Sequence, residues 1–135
     1  MATTEHERGN VTVFVLLLVT ALMSMAGLVI DAGGALATKR QAATAAEHAA
    51  RVGADALDSA SLRSGHPVVA PARARTAAHS YLTRIGATGT VTVSGDTVTV
   101  TVTDRYKTAL LTLIGINRLD VAATAAAVSI NEDGN

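Results

Sequence analysis

Cysteine and tryptophan are absent from this 135-residue chain, and its aromatic rings, histidine aside, are Phe14, Tyr81 and Tyr106. Without thiols there is no disulfide framework, no thiolate metal site and no sulfur nucleophile. With so few rings, a core has to be closed by small and branched side chains at short range. A charge excess is missing as well, because Lys+Arg and Asp+Glu stand at 11 each. These charges are scattered, so no basic stripe follows a phosphate backbone, and nucleic acid is excluded as a partner. His6, His48, His66 and His79 are too dispersed for a helical metal pair, and no HxxxH or HExxH occurs. No serine lies in a GxSxG elbow, and Gly33-Gly34 lacks the Lys-Ser/Thr of a phosphate loop. Acyl transfer, nucleotide chemistry and metal hydrolysis therefore have no visible apparatus, and neither catalytic residues, metal ligands nor a cofactor site are expected.

What the chain does have is one uncharged apolar run, Val11 to Ile30, bounded by Arg8 and Asp31. Twenty helical residues cover ~30 Å, the hydrocarbon thickness of a bilayer, so the run predicts a single crossing with the lipid bilayer as partner. Ser24-Met-Ala26 offers the small residues of a signal-peptidase site, which makes a secreted domain released after cleavage the rival reading. Against it, Gly27-Leu-Val-Ile30 remains apolar past that site, and the run is longer than a usual signal core. Lys39 and Arg40 after the run outnumber Arg8 before it, a weak bias toward a cytoplasmic carboxyl side.

Beyond Asp31 the chain is proline-free and alanine-rich to about Ala60, so the helix is expected to continue far past the bilayer. Two adjacent glycines cost about 2 kcal/mol against alanine in a helix, which marks Gly33-Gly34 as a place for a bend. Ala42, Ala46, Ala49, Gly53, Ala56 and Ala60 recur at steps of four and three and form a seam of tiny side chains where another backbone can approach. Lys39, Glu47, His48, Arg51 and Asp55 flank that seam as a solvated face.

Pro67 and Pro71 break the helix and reverse the chain. A second helix follows, with Ala74, Ala78, Tyr81, Leu82 and Ile85 on one face and Gly86 at its stop. Thr90–Ser94 and Thr97–Thr103 alternate strictly about Gly95-Asp96, which predicts a hairpin pairing Val93 with Val98 and Val91 with Val100, valines inward. Lys107 to Ile114 reads as a short apolar helix or 3₁₀ turn closed by Gly115, and Leu119 to Ile130 as a third strand, with helix as the alternative. In the strand reading Leu119, Val121, Ala123, Ala125 and Ala127 face the alanine seam.

The expected organisation is a tail at 1–10, a transmembrane helix at 11–30, its extension at 31–60, a linker at 61–71, a small extracytoplasmic domain at 72–130 and a tail at 131–135. The fold class is α+β: the long amino-terminal helix continues outside the bilayer and packs with a second helix on a small antiparallel three-stranded sheet. Asp31, at the end of the span, is either an interfacial anchor or a paired contact within an assembly.

The segment Glu7-Arg-Gly-Asn-Val-Thr-Val-Phe, the span, Gly27-Leu-Val-Ile-Asp31-Ala-Gly-Gly-Ala and Lys39-Arg-Gln-Ala-Ala-Thr-Ala-Ala-Glu-His-Ala-Ala together resemble the amino-terminal part of TadE/TadG-like proteins of Flp (tight-adherence) pilus systems. The carboxyl part, with Val91 to Val102, Gly115 and Leu119-Asp-Val-Ala-Ala-Thr-Ala, is similar to the short β-rich ends of actinobacterial members. The resemblance implies a pseudopilin-like or pilus-accessory membrane protein with its amino end cytoplasmic and its domain outside, against the weak charge bias. It also implies partners in the inner-membrane platform and the pilins, beside a secretion ATPase, and self-association. Pilins and TadE-type pseudopilins are cut after a glycine, which here points to Gly9 and Asn10. The fifth mature residue would then be Phe14, where those proteins have glutamate. A membrane-anchored extracytoplasmic binding module, using the threonine face of the hairpin, is the other functional class the residues allow.

Overall fold

The computed structural model describes residues 5–64 and 71–129. Helix α1 runs unbroken from Glu5 to Ser64, α2 from Pro71 to Ile85, and strands β1 (Thr88–Ser94), β2 (Thr97–Lys107) and β3 (Arg118–Val128) form one antiparallel sheet in the order β1-β2-β3. A 3₁₀ turn at Leu111–Ile114 joins β2 to β3. The expected reversal at Pro67 lies outside the described residues, as does the tail at 131–135. The fold is the α+β arrangement read from the sequence. The helical alternative for the last segment is excluded, since Arg118–Val128 pairs along the whole of β2.

The hairpin register places Val93 opposite Val98, Val91 opposite Val100 and Thr92 opposite Thr99. Val98, Val100 and Val102 are buried, and the intervening threonines are exposed or half-buried, as period-two alternation on a one-sided sheet requires. On β3 the residues at 119, 121, 123, 125 and 127 are the half-buried set. Both inward faces meet α1, which also packs on α2. Ala42, Ala46, Ala49, Ala50 and Ala54 of α1, Ala74, Ala78 and Leu82 of α2, and the β2 valines make the core. It is a core of methyl groups, so the backbones of helix and sheet come close together.

Two features differ from the sequence expectation. The helix begins at Glu5, inside the stretch read as a tail. It also stays helical through Gly33-Gly34, where tertiary contact bears on the glycines. A Cβ on Gly34 would overlap the ring and hydroxyl of Tyr106, whereas one on Gly33 would meet nothing.

Strand β2 descends along α1 toward the apolar run. Val98 lies against Gly53, Tyr106 against Gly34, and Leu110, just past the strand, against Gly27. From Gly53 to Gly34 the helix drops ~28 Å at 1.5 Å per residue, and from Val98 to Tyr106 an antiparallel strand covers ~27 Å at 3.4 Å per residue. Strand and helix therefore keep step over nearly the full height of the domain, and three glycines of α1 mark the places where β2 and its continuation press closest.

Candidate functional site

From Val11 to Ile30 the large apolar side chains of α1 are exposed, and Gly27 alone in that stretch is buried. Among the described residues α1 is the one helix long and apolar enough to cross a bilayer. Immediately after this run comes Asp31, which is fully buried. Burying a carboxylate is costly unless hydrogen bonds replace the lost water, and here they do. Oδ1 accepts the amide of Ala109 at 2.6 Å, and Oδ2 accepts those of Leu110 at 3.0 Å and Leu111 at 2.7 Å. The Tyr106 hydroxyl donates to Oδ1 at 3.4 Å.

The local chain explains why those amides are available. The 3₁₀ turn opens at Leu110, whose side chain has no hydrogen-bonding group, so the turn has no cap of its own. The first amides of any helical turn lack internal acceptors and carry its positive dipole end. Asp31 supplies the missing acceptor from 78 to 80 residues away in sequence. On the far side of the turn, Gly115 adopts φ of 89° and returns its amide to Thr112. Thr108 then ties the base of the loop shut: its amide donates to Asn117 O at 3.2 Å and its hydroxyl to Ile116 O. The result is a rigid knuckle clamped to α1 at the end of the apolar run.

Tyr106 completes the clamp. Its ring lies over Gly34, one turn of α1 past Asp31, and no side chain larger than glycine leaves room for it. Burial pushes the phenol above its ordinary pKa, and the Asp31 charge and the shared hydrogen bond push in the same direction. The protonated hydroxyl is the donor the carboxylate needs.

The other residues singled out in the sequence are distributed as follows. Ala42, Ala46, Ala49 and Gly53 are buried and Ala56 is half-buried, while at Ala60 only the helical backbone is described. Ala50 and Ala54, outside the four-three pattern, are buried too and widen the seam. Arg8 and Gly9 belong to the first turns of α1, and Asn10 is exposed. Asp104 receives its neighbour's amide from Arg105, and Asp120 pairs with the Arg105 side chain at 3.3 Å, both on the surface. His66 lies outside the described residues. His48 and Tyr81 meet at 6.4 Å between ring centroids, with the Arg84 guanidinium 5.6 Å from the Tyr81 ring centre. Among the described residues no cluster of His, Cys, Asp or Glu could hold a metal ion.

The structure adds to the reading of Asp31. Its carboxylate is buried and makes its hydrogen bonds within the chain. Its partners Tyr106 and the amides at 109–111 escaped sequence reasoning. The signal that points to them is an apolar turn with no capping residue of its own.

Residues 9–56 match the family model described as putative Flp pilus-assembly TadE/G-like. The match covers the apolar run, Asp31, Gly34 and the alanine seam through Ala56, and none of α2 or the sheet. No curated protein and no solved structure matches the chain.

Proposed function

We propose that this chain is a single-pass, non-catalytic component of a Flp-type pilus or a related secretion apparatus. It is held in the cell membrane with its amino end cytoplasmic and its α+β domain outside. The observation that carries this reading is the position of the family match: it falls on an apolar helix whose first half, among the described residues, is bare except at the Leu110 knuckle, and whose second half is the core of the domain. A rod of this kind transmits position from bilayer to domain with no hinge between them.

The same contacts support retention of the helix in the mature chain. Cleavage after Ala26 would leave Gly27 and Asp31 holding the knuckle from a frayed helix end. Cleavage after Gly9 would leave all the contacts intact, with Phe14 at the fifth position. Of the two roles, pseudopilin-like or accessory, the second is favoured, because a glutamate that would neutralise a neighbour's amino terminus is lacking there.

In a strain that assembles Flp-type pili, in-frame deletion of the gene is expected to abolish or shorten surface filaments in electron micrographs while pilin continues to be made. Normal piliation would refute the role. Protease added to spheroplasts is expected to remove the domain and spare the amino-terminal residues. Mass spectrometry of the mature chain is expected to find an amino terminus at or before Asn10.

A further inference from the structure

The loop between β2 and β3 exposes apolar side chains that its own architecture forbids it to hide. Leu113 is 84% exposed and Ile114 71%, with Leu110 and Ile116 also open to the outside. The backbone that carries them is pinned by Asp31 at one end and by Thr108 at the other. Their exposure therefore occurs on a hydrogen-bonded turn, and several large apolar side chains exposed on one short turn mark an interaction surface.

Its height along α1 identifies the partner. The run from Val11 to Ile30 is ~30 Å long and has no length to spare over a bilayer core. Gly27 is thus within ~6 Å of the outer edge of that core, and Leu110 packs directly on Gly27. Four residues of 3₁₀ turn span at most ~8 Å, so Leu113 and Ile114 stay at the level of the lipid headgroups and upper acyl chains. A second observation agrees. At the neck of the loop, Lys107 and Arg118 are directly opposed in the sheet register, and both are exposed. Like charges facing each other across strands are destabilising, and a phosphate between them removes the cost. An apolar tip with a cationic collar has the composition of an element that lies in a membrane interface.

We infer that the knuckle at 110–116 is a second membrane contact: Leu113 and Ile114 enter the outer leaflet beside α1, while Lys107 and Arg118 meet the lipid phosphates. The domain then stands on two feet, the helix and the knuckle, and its rotation about the helix axis relative to the bilayer is set. This inference rests on α1 crossing the membrane as proposed above.

Because the chain has no cysteine, single probes can be placed cleanly. Ile114→Cys, Leu17→Cys and Thr92→Cys, each carrying an environment-sensitive fluorophore, are reconstituted as full chains in vesicles of phosphatidylcholine and phosphatidylglycerol. Lipids bearing a nitroxide near the headgroup or near the bilayer centre serve as quenchers. The Ile114 probe is expected to be quenched more by the headgroup nitroxide, the Leu17 probe more by the central one, and the Thr92 probe by neither. An Ile114 probe with a water-like spectrum and no quenching, beside a Leu17 probe that is quenched, overturns the second contact and leaves the span standing. An unquenched Leu17 probe overturns the span and the contact together. Shielding of Ile114 that lipid nitroxides do not quench and that grows with protein-to-lipid ratio assigns the patch to a second copy of the chain, and this also overturns the proposal.

Discussion

Asp31→Asn keeps the size of the side chain but turns an NH₂ toward backbone amides that are themselves donors. Every group that Asp31 accepts from is a neutral donor, so an acceptor-only carboxylate fits and an amide does not. The substitution is expected to release the knuckle without unfolding the sheet, because no ladder hydrogen bond of β2 or β3 depends on the carboxylate. Hydrogen exchange checks this: the amides at 109–111 should exchange faster in Asp31→Asn, with those of Val98 to Val102 unchanged. Tyr106 offers a second test from the donor side. Its folded pKa is raised, so its contribution to stability is complete below the unfolded value of about 10 and is lost as pH rises through the folded value. In Tyr81→Phe, where Tyr106 is the remaining tyrosine, the phenolate absorbance should rise above pH ~10. Adding Asp31→Asn should move that rise down part of the way, because burial, the larger cause, persists. Adjacent glycines give a third contrast. Gly33→Ala meets open space in a helix and should stabilise the chain by about 0.5–1 kcal/mol. Gly34→Ala drives a methyl into Tyr106 and should destabilise it by about 1–3 kcal/mol. Thermal unfolding of the two variants in detergent should therefore shift in opposite directions.

At the scale of elements, the alternation about Gly95-Asp96, the alanine spacing on α1 and the Gly115 stop were all legible, because each is a local rule of period or backbone conformation written in neighbouring residues. The hairpin register and the inward valines follow from period two alone. What the residues in order could not show is a contact made across most of the chain. Asp31 meets its donors about 80 positions away, and Gly34 is costly to a helix in isolation but required once Tyr106 lies on it. Helix propensity counts the cost and is blind to the ring. The same limit applies to Ala50 and Ala54, which are buried beside the seam in a core that α2 and the sheet share. The seam is nevertheless an element with a sharp tolerance. Ala46 is fully buried in a contact made by methyl groups, so Ala46→Leu leaves the larger side chain no space and should cost about 1–3 kcal/mol, occasionally more. Glu47→Leu, one position on and exposed, should leave the unfolding midpoint almost unchanged.

At the scale of the whole molecule, α1 carries an exposed apolar run in its first half and a large share of the domain's core in its second. Of the buried residues, Ala42, Ala46, Ala49, Ala50 and Ala54 come from the helix and are met by Val98, Val100 and Val102 from the sheet. A fragment of residues 71–135 keeps α2 and three strands but presents the inner face of β3 and most of β2 to water. Its ~65 residues are at the lower edge of what folds alone even with a complete core. It is expected to show no cooperative thermal transition by circular dichroism. Residues 31–135 retain the alanine seam, Asp31 and the knuckle while omitting the apolar run, and should unfold cooperatively. If 71–135 folded by itself, α1 would be a tether to an independent domain, and bilayer and domain would be free to move separately. If instead only 31–135 folds, displacing the helix must displace the core, and a force applied to the apolar run reaches the sheet through the contacts at Gly27, Gly34 and Gly53.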